Sequence, residues 1–240
     1  MGFRASLLSI LFPHRCAMCG TYNGERKKGE WRMTKGESSG QICDQCIAKL
    51  PRTEQAVLRE NMTEDVLAGT NHLQRAAAFM FYDKGHPIQQ VVHKMKYADQ
   101  PSIGYQLGRQ AAMEFLCTDF FEGIEVIVPV PLHKNRLRSR GYNQSEYIAR
   151  GISEVTGIPV DTTHVTREKD TPQQALQSGD DRKNNVADAF EVNHPEQLYR
   201  KHILVVDDLI TTGETARACM HAMRTIRGAK YSVFALCKAR

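Results

Sequence analysis

Four consecutive apolar residues, Ile203, Leu204, Val205 and Val206, run without interruption into Asp207 and Asp208. A strand with one wet face would alternate apolar and polar residues. A continuous run needs cover on both faces, which is the situation of a strand inside a parallel sheet. Short β-rich runs at 77–82, 125–130, 164–166 and 231–237 alternate with amphipathic stretches at 87–95, 103–117, 144–155 and 214–226. Ile103, Leu107, Ala111 and Phe115 recur at helical spacing. Strand and helix in alternation imply an α/β fold, a parallel sheet flanked by crossover helices.

The 240 residues allow one or two domains. With 25% charged and 41% apolar residues the chain is neither disordered nor fibrous. No run approaches the roughly 18 apolar residues that span a bilayer. A net charge of +5 permits phosphorylated or nucleic-acid partners without demanding them. Near the start, an apolar stretch is interrupted by Ser9 and stopped by Pro13, and His14-Arg15-Cys16 follows where an export signal would need small residues. Residues 3–12 therefore read as a short amphipathic helix. The polar stretch 170–183 reads as a mobile loop.

Seven cysteines are an odd number, and four fall in tight pairs, Cys16-x-x-Cys19 and Cys43-x-x-Cys46. That pattern suggests a reducing, cytoplasmic compartment and metal binding, not a disulfide frame. Each pair, on a knuckle turn, can occupy one edge of a tetrahedral ion, so that two pairs complete a structural zinc site with no open position. A redox dithiol would need only one pair. Gly20 sits where such a turn needs positive φ, and the polar residues 24–40 between the pairs can form an exposed loop. Cys117, Cys219 and Cys237 read as small buried hydrophobes.

Beyond the acidic pair lies Thr211-Thr212-Gly213-Glu214-Thr215, which opens a helix. In a parallel sheet, ligands bind beyond the carboxyl ends of strands. A turn of amides and hydroxyls at a helix N-terminus suits a phosphate, although no Walker motif is present. Two carboxylates would repel that phosphate; they suit vicinal hydroxyls or Mg²⁺ instead. Phosphate at one end and a diol at the other describe a ribose 5-phosphate. The competing reading is an Asx turn that caps the helix. Between Pro129 and Ser145 stand Lys134, Arg136, Arg138 and Arg140 without an acid. Such a set suits a diphosphate, or a solvated surface loop. Lys94 and Lys96 read as a solvated helix face, and Arg182, Lys183 and Asn184 as groups able to close over a ligand.

The acidic segment resembles the phosphoribosyl-diphosphate loop of type I phosphoribosyltransferases, and the whole chain resembles the ComF family of competence proteins. The resemblance rests on the paired cysteines ahead of the acidic loop, on Pro129-Val130-Pro131-Leu132-His133 with Arg136-Leu137-Arg138-Ser139-Arg140-Gly141-Tyr142-Asn143-Gln144, and on Thr171-Pro172-Gln173 with Asp181-Arg182-Lys183-Asn184-Asn185-Val186; His93-Lys94-Met95-Lys96-Tyr97 matches more weakly. It implies a type I phosphoribosyltransferase-like sheet over 77–240, a connector contributing to a hood over 51–76, and a small N-terminal zinc-binding module over 1–50.

The resemblance also implies roles. Asp207 and Asp208, as the catalytic pair, would hold the ribose hydroxyls and assist Mg²⁺; Thr211, Thr212, Gly213 and Thr215 would take the 5-phosphate; Pro131, Leu132 and His133, with Arg136 and Arg140, would face the diphosphate. Cys16, Cys19, Cys43 and Cys46 would hold zinc. The stretch 167–183 matches the family's lid position, but its pattern is loose. The implied activity is Mg²⁺-dependent phosphoribosyl transfer serving DNA uptake in natural transformation, with single-stranded DNA and a competence helicase as possible partners. The alternative is a single-stranded-DNA-binding accessory protein whose transferase-like domain is not catalytic.

Overall fold

The computed structural model describes residues 15–21, 41–169 and 189–240. The helix expected at 3–12, the loop 24–40 and the stretches 170–183 and 181–186 lie outside them.

Four parallel strands form the main sheet in the order β1-β6-β5-β2: β1 (Leu73–Tyr82), β2 (Val126–Pro129), β5 (His202–Ile210) and β6 (Lys230–Ala239). Two three-residue strands, β3 (Val165–Arg167) and β4 (Phe190–Val192), pair antiparallel outside it. The helices are α1 (Asp44–Ala48), α2 (Met62–Val66), α3 (Ile88–Tyr97), α4 (Pro101–Phe115), α5 (Lys134–Arg140), α6 (Gln144–Thr156) and α7 (Glu214–Ala222). Among the described residues, no helix is long and apolar enough to cross a membrane.

The continuous apolar run has the two-sided cover that it requires. Leu204 and Val206 pack into a core shared with Met95, Leu107 and Ile148 of α3, α4 and α6, while Ile203 and Val205 pack against Cys219 and Met220 of α7. All four run residues are fully buried. Each fully buried aliphatic side chain contributes roughly 1.5–3 kcal/mol relative to exposure, so the strand's hold on both layers exceeds any single polar contact.

Three expectations change. β5 does not stop before the acidic pair but continues to Ile210, because β6 keeps pairing with it there, with Leu209 opposite Cys237 and Ile210 opposite Lys238. The last helix ends at Ala222 and tightens into a 3-10 turn, Met223–Thr225. Cys117 is exposed, lying two residues past the end of α4, whereas Cys219 and Cys237 are buried as expected.

Helices α4 and α6 touch backbone to backbone. A Cβ added at Gly108 would stand 2.3 Å from the Ile148 carbonyl oxygen, and one at Gly151 would stand 2.2 Å from that of Tyr105. This contact fixes where the N-terminus of α6 points. Ahead of β1, the Thr53 N–H donates to the Phe79 carbonyl at 3.2 Å and the Phe81 N–H to that of Pro51 at 2.8 Å, so residues 51–53 cover the outer sheet edge. Asn61 caps α2 by accepting from the Thr63 and Glu64 amides.

Candidate metal centre and ligand crevice

The four cysteines expected to bind metal converge. Their sulfurs all lie within 4.8 Å of one another, with Cys19 and Cys43 at 3.9 Å. Sulfurs bound about 2.3 Å from a tetrahedral zinc stand about 3.8 Å apart, so the donor set fits that ion. The backbone serves one of these sulfurs directly, the Met18 and Cys43 amides each donating to Cys16 Sγ at 3.4 Å, while burial pushes the Cys43 and Cys46 thiols up. Hydrogen bonding with Thr21 lowers the exposed Cys19 thiol to about 6. Gly20 closes the first knuckle at φ +74°, with its N–H donating to the Cys16 carbonyl at 2.9 Å.

The knuckles dock on the helical layer. Gln106 of α4 brackets Ile42, accepting from its N–H and donating to its carbonyl, both at 2.8 Å. Lys94 of α3 donates to the Ala17 carbonyl at 2.7 Å. Lys94 is thus a tether to the first cysteine knuckle, not the solvated residue expected from the sequence.

The acidic pair lies at the carboxyl end of the sheet. β2 ends at Pro129, opposite Val206, so Asp207 and Asp208 lie beyond the point where β2 has left off. They are 8% and 5% exposed, and their surroundings differ. Asp208 pairs with the Lys96 ammonium at 3.1 Å and accepts from Gln144 Nε2 at 2.7 Å. Asp207 accepts from the Asp208 amide at 2.8 Å and lies 3.5 Å from Ser145 Oγ. Burial, then the neighbouring Asp208 carboxylate, raises Asp207 to about 7. Burial works to lower Lys96, but Asp208 and then Asp207 outweigh it and the ammonium is strengthened. Cys219 feels the same field: burial, reinforced by Asp207, pushes its thiol up to about 12.

Two elements bring partners to this pair. Asn143 caps α6, accepting from the Ser145 amide at 3.1 Å while its own amide donates to the Val130 carbonyl at 3.0 Å. The cap ties the chain leaving β2 to the helix that delivers Gln144 and Ser145. From the other side, α3 delivers Lys96, whose side chain is only 16% exposed. Sequence reasoning missed Lys96, Gln144 and Ser145 as members of the site. The available signal was position: Lys96 follows Val92 by four residues, on the stripe that buries Ile88, Val92 and Met95.

The other expected residues are placed as follows. Thr211 and Thr212 are exposed, Thr215 is half-buried, and Gly213 begins α7 at φ +76°. A Cβ at Gly213 would stand 2.9 Å from Leu67 Cδ2, so the connector after α2 roofs this turn. Lys238 reaches the turn from β6, donating to the Thr211 carbonyl at 3.3 Å. Pro131, Leu132 and His133 are half-buried beyond β2, and His133 Nδ1 accepts from the Asn135 amide as the cap of α5. The basic segment forms this helix and not a loop. Arg140 donates to Gln144 Oε1 at 2.5 Å and lies over the Tyr97 ring at 5.1 Å, which links it through Gln144 to Asp208. Arg136 is half-buried on the same helix.

No family model matches the chain. Among solved structures, a glutamine phosphoribosylpyrophosphate amidotransferase from B. subtilis aligns at TM-score 0.40 and 19% identity, over 60% of this chain and 30% of that one. An adenine phosphoribosyltransferase from Leishmania tarentolae aligns at TM-score 0.37 and 10% identity, over 79% and 94%. Among curated proteins, the chain is 30% identical over 159 residues to the DNA utilization protein YhgH of Escherichia coli K12, covering 65% of this chain and 69% of that protein. It is 32% identical over 158 residues to Competence protein F of Haemophilus influenzae, covering 64% and 69%. With cysteine knuckles, a parallel sheet and these relatives in agreement, the chain belongs to the ComF family.

Proposed function

We propose that this protein binds phosphoribosyl diphosphate with Mg²⁺ over the carboxyl ends of β2 and β5, and that it serves DNA uptake. The observation that carries the binding half is the pair of buried carboxylates at the carboxyl end of β5, served by Lys96, Gln144 and Ser145. The names of the relatives, a DNA utilization protein and a competence protein, support the second half.

Asp207 and Asp208 are the residues that would hold Mg²⁺. That ion takes one or two carboxylates together with substrate phosphates, and a pair already engaged with Lys96 suits an ion that arrives with its ligand. When bound, Mg²⁺ supplies neutralisation of the diphosphate charge. Asp207 and Asp208 orient the ribose hydroxyls, and the amides and hydroxyls of Thr211, Thr212, Gly213 and Thr215 receive the 5-phosphate. Pro131, Leu132 and His133 line the side from which the diphosphate leaves, with Arg136 and Arg140 beyond them. Pentosyl transfer needs positioning and electrostatic support more than a protein nucleophile.

Calorimetry with phosphoribosyl diphosphate and Mg²⁺ tests the reading. The wild type binds, and Asp207→Ala/Asp208→Ala loses at least about tenfold in affinity; equal affinity of the two proteins overturns it. Pyrophosphate release across a panel of bases then reports turnover.

A second reading has its own observation. Lys134 and Arg138 are exposed on α5, the helix that follows β2, a placement suited to a nucleic-acid backbone held by this helix and the cysteine knuckles. Single-stranded DNA binding that falls steeply with salt, and that Asp207→Ala/Asp208→Ala leaves intact, favours it.

A further inference from the structure

We propose that a second site, at the other end of the sheet from the acidic pair, binds a phosphate ester in the cleft between α7 and the loop that enters β1. The cleft measures ≈ 330 Å³; Arg217, His221 and Arg224 line it from α7 and the turn that follows, and Thr70 and His72 line it from the loop. It lies at the amino ends of β1 and β6, opposite to the end that carries Asp207 and Asp208.

Three observations point to an anion. Arg217 and His221 stand at i and i+4 on one face of α7, Arg217 also donating to the Thr212 carbonyl at 3.4 Å, and Arg224 in the following 3-10 turn lines the same cleft. Among the described residues, none of these three, nor His72, pairs with a carboxylate. Arg224 instead donates to His221 Nε2, which uses that imidazole's acceptor. Finally, the Thr70 hydroxyl is buried and has no hydrogen-bond partner among the described residues. A buried hydroxyl without a partner is unfavourable; Thr70 lines the cleft, so rotation about χ1 would bring this hydroxyl to an anionic oxygen bound there.

The donor set selects phosphate over a carboxylate. Two guanidiniums, imidazole and a hydroxyl exceed what two carboxylate oxygens accept, whereas a phosphate group takes a bidentate guanidinium and further donors together. The cleft offers no exposed phenyl, phenol or indole ring for base stacking: Tyr231 is 2% exposed and its hydroxyl donates to the Met223 carbonyl at 2.7 Å. Recognition therefore falls on the phosphate and not on a base. A mononucleotide and a nucleic-acid backbone both present that group.

The test is calorimetry at low salt on the full chain with three probes: inorganic phosphate, adenosine 5′-monophosphate and a ten-nucleotide oligothymidylate. Each is titrated into wild type, Arg224→Glu and Thr70→Val. Arg224 is exposed, and Thr70→Val replaces a hydroxyl that bonds nothing, so both variants keep the fold. The turn at 211–215 is the same in all three proteins, so differences between them report the cleft. At least one probe is expected to lose about tenfold in affinity with Arg224→Glu and about threefold with Thr70→Val. Loss confined to the oligonucleotide identifies a backbone ligand, and loss with the monophosphate a small ester. Unchanged affinity in both variants, an effect of Arg224→Glu without one of Thr70→Val, or no binding by any probe overturns the proposal.

Discussion

At the scale of single residues, the site's chemistry turns on the unequal surroundings of two adjacent carboxylates. Asp208 has a cation, and Asp207 has burial and a like charge beside it. With its pKa raised to about 7 from an ordinary 3.8, Asp207 keeps its proton in the folded state over a range where the unfolded chain has released it. The folded protein binds the extra proton, so stability falls as pH rises from about 4 to about 7 and levels off above. Asp207→Asn removes this slope; urea unfolding at pH 5 and pH 8 should show a wild-type difference of roughly 1–4 kcal/mol that the variant lacks. A slope equal in both proteins would mean that Asp207 ionises normally. Lys96 gives the complementary experiment. Lys96→Met leaves Asp208 buried without its cation, and should cost about 3 kcal/mol at neutral pH. Adding Asp208→Asn to that background should restore most of the loss. If the double variant is no more stable than the single, the ion pair is not what holds Lys96 in place.

At the scale of elements, legibility followed the range of the interaction. The buried strand β5 was legible because four apolar residues in a row have few other uses, and the acidic pair with its Thr/Gly turn was legible because residue order places them together. Helix α5 was not: its only large apolar residue, Leu137, is 42% exposed, so there is no periodic stripe to detect. Lys96 was hidden because its partner lies more than a hundred residues away in the chain. The approach of α4 and α6 was equally hidden, since a glycine in a helix reads as a weakness until the facing backbone is known. Here Gly151 is a requirement. Gly151→Ala would drive a methyl group into the Tyr105 carbonyl and the Arg109 amide, and should destabilise by about 3 kcal/mol despite the better helix propensity of alanine. The same shift moves the N-terminus of α6, so the Gln144 contact to Asp208 loosens with it. Thermal unfolding of Gly151→Ala beside Gly157→Ala gives the contrast: Gly157 has φ +74° but no atom within 4 Å of its missing Cβ, and its substitution should cost only about 1 kcal/mol.

At the scale of the molecule, one helix joins the two centres. Lys94 of α3 reaches the Ala17 carbonyl in the first knuckle, and Lys96, two residues on, reaches Asp208. The knuckle's own residues Cys16, Ala17, Ile42 and Cys46 belong to the same buried core as Val92, Met95 and Ile103. A four-thiolate set with no open position contributes folding energy and no chemistry. Its contribution should therefore reach the crevice through α3. Chelation of zinc should lower the melting temperature by roughly 10 °C. In amide hydrogen exchange, residues 94–97 should lose protection on chelation, while α7, which packs on the other face of the sheet, keeps its own. Cys46→Ser should reproduce both effects without a chelator. If zinc leaves and the amides of 94–97 remain as protected as before, the knuckle stabilises only itself, and the ion pair at Asp208 stands independently of it. If α7 opens together with α3, the metal governs the whole sheet and not one helix of it.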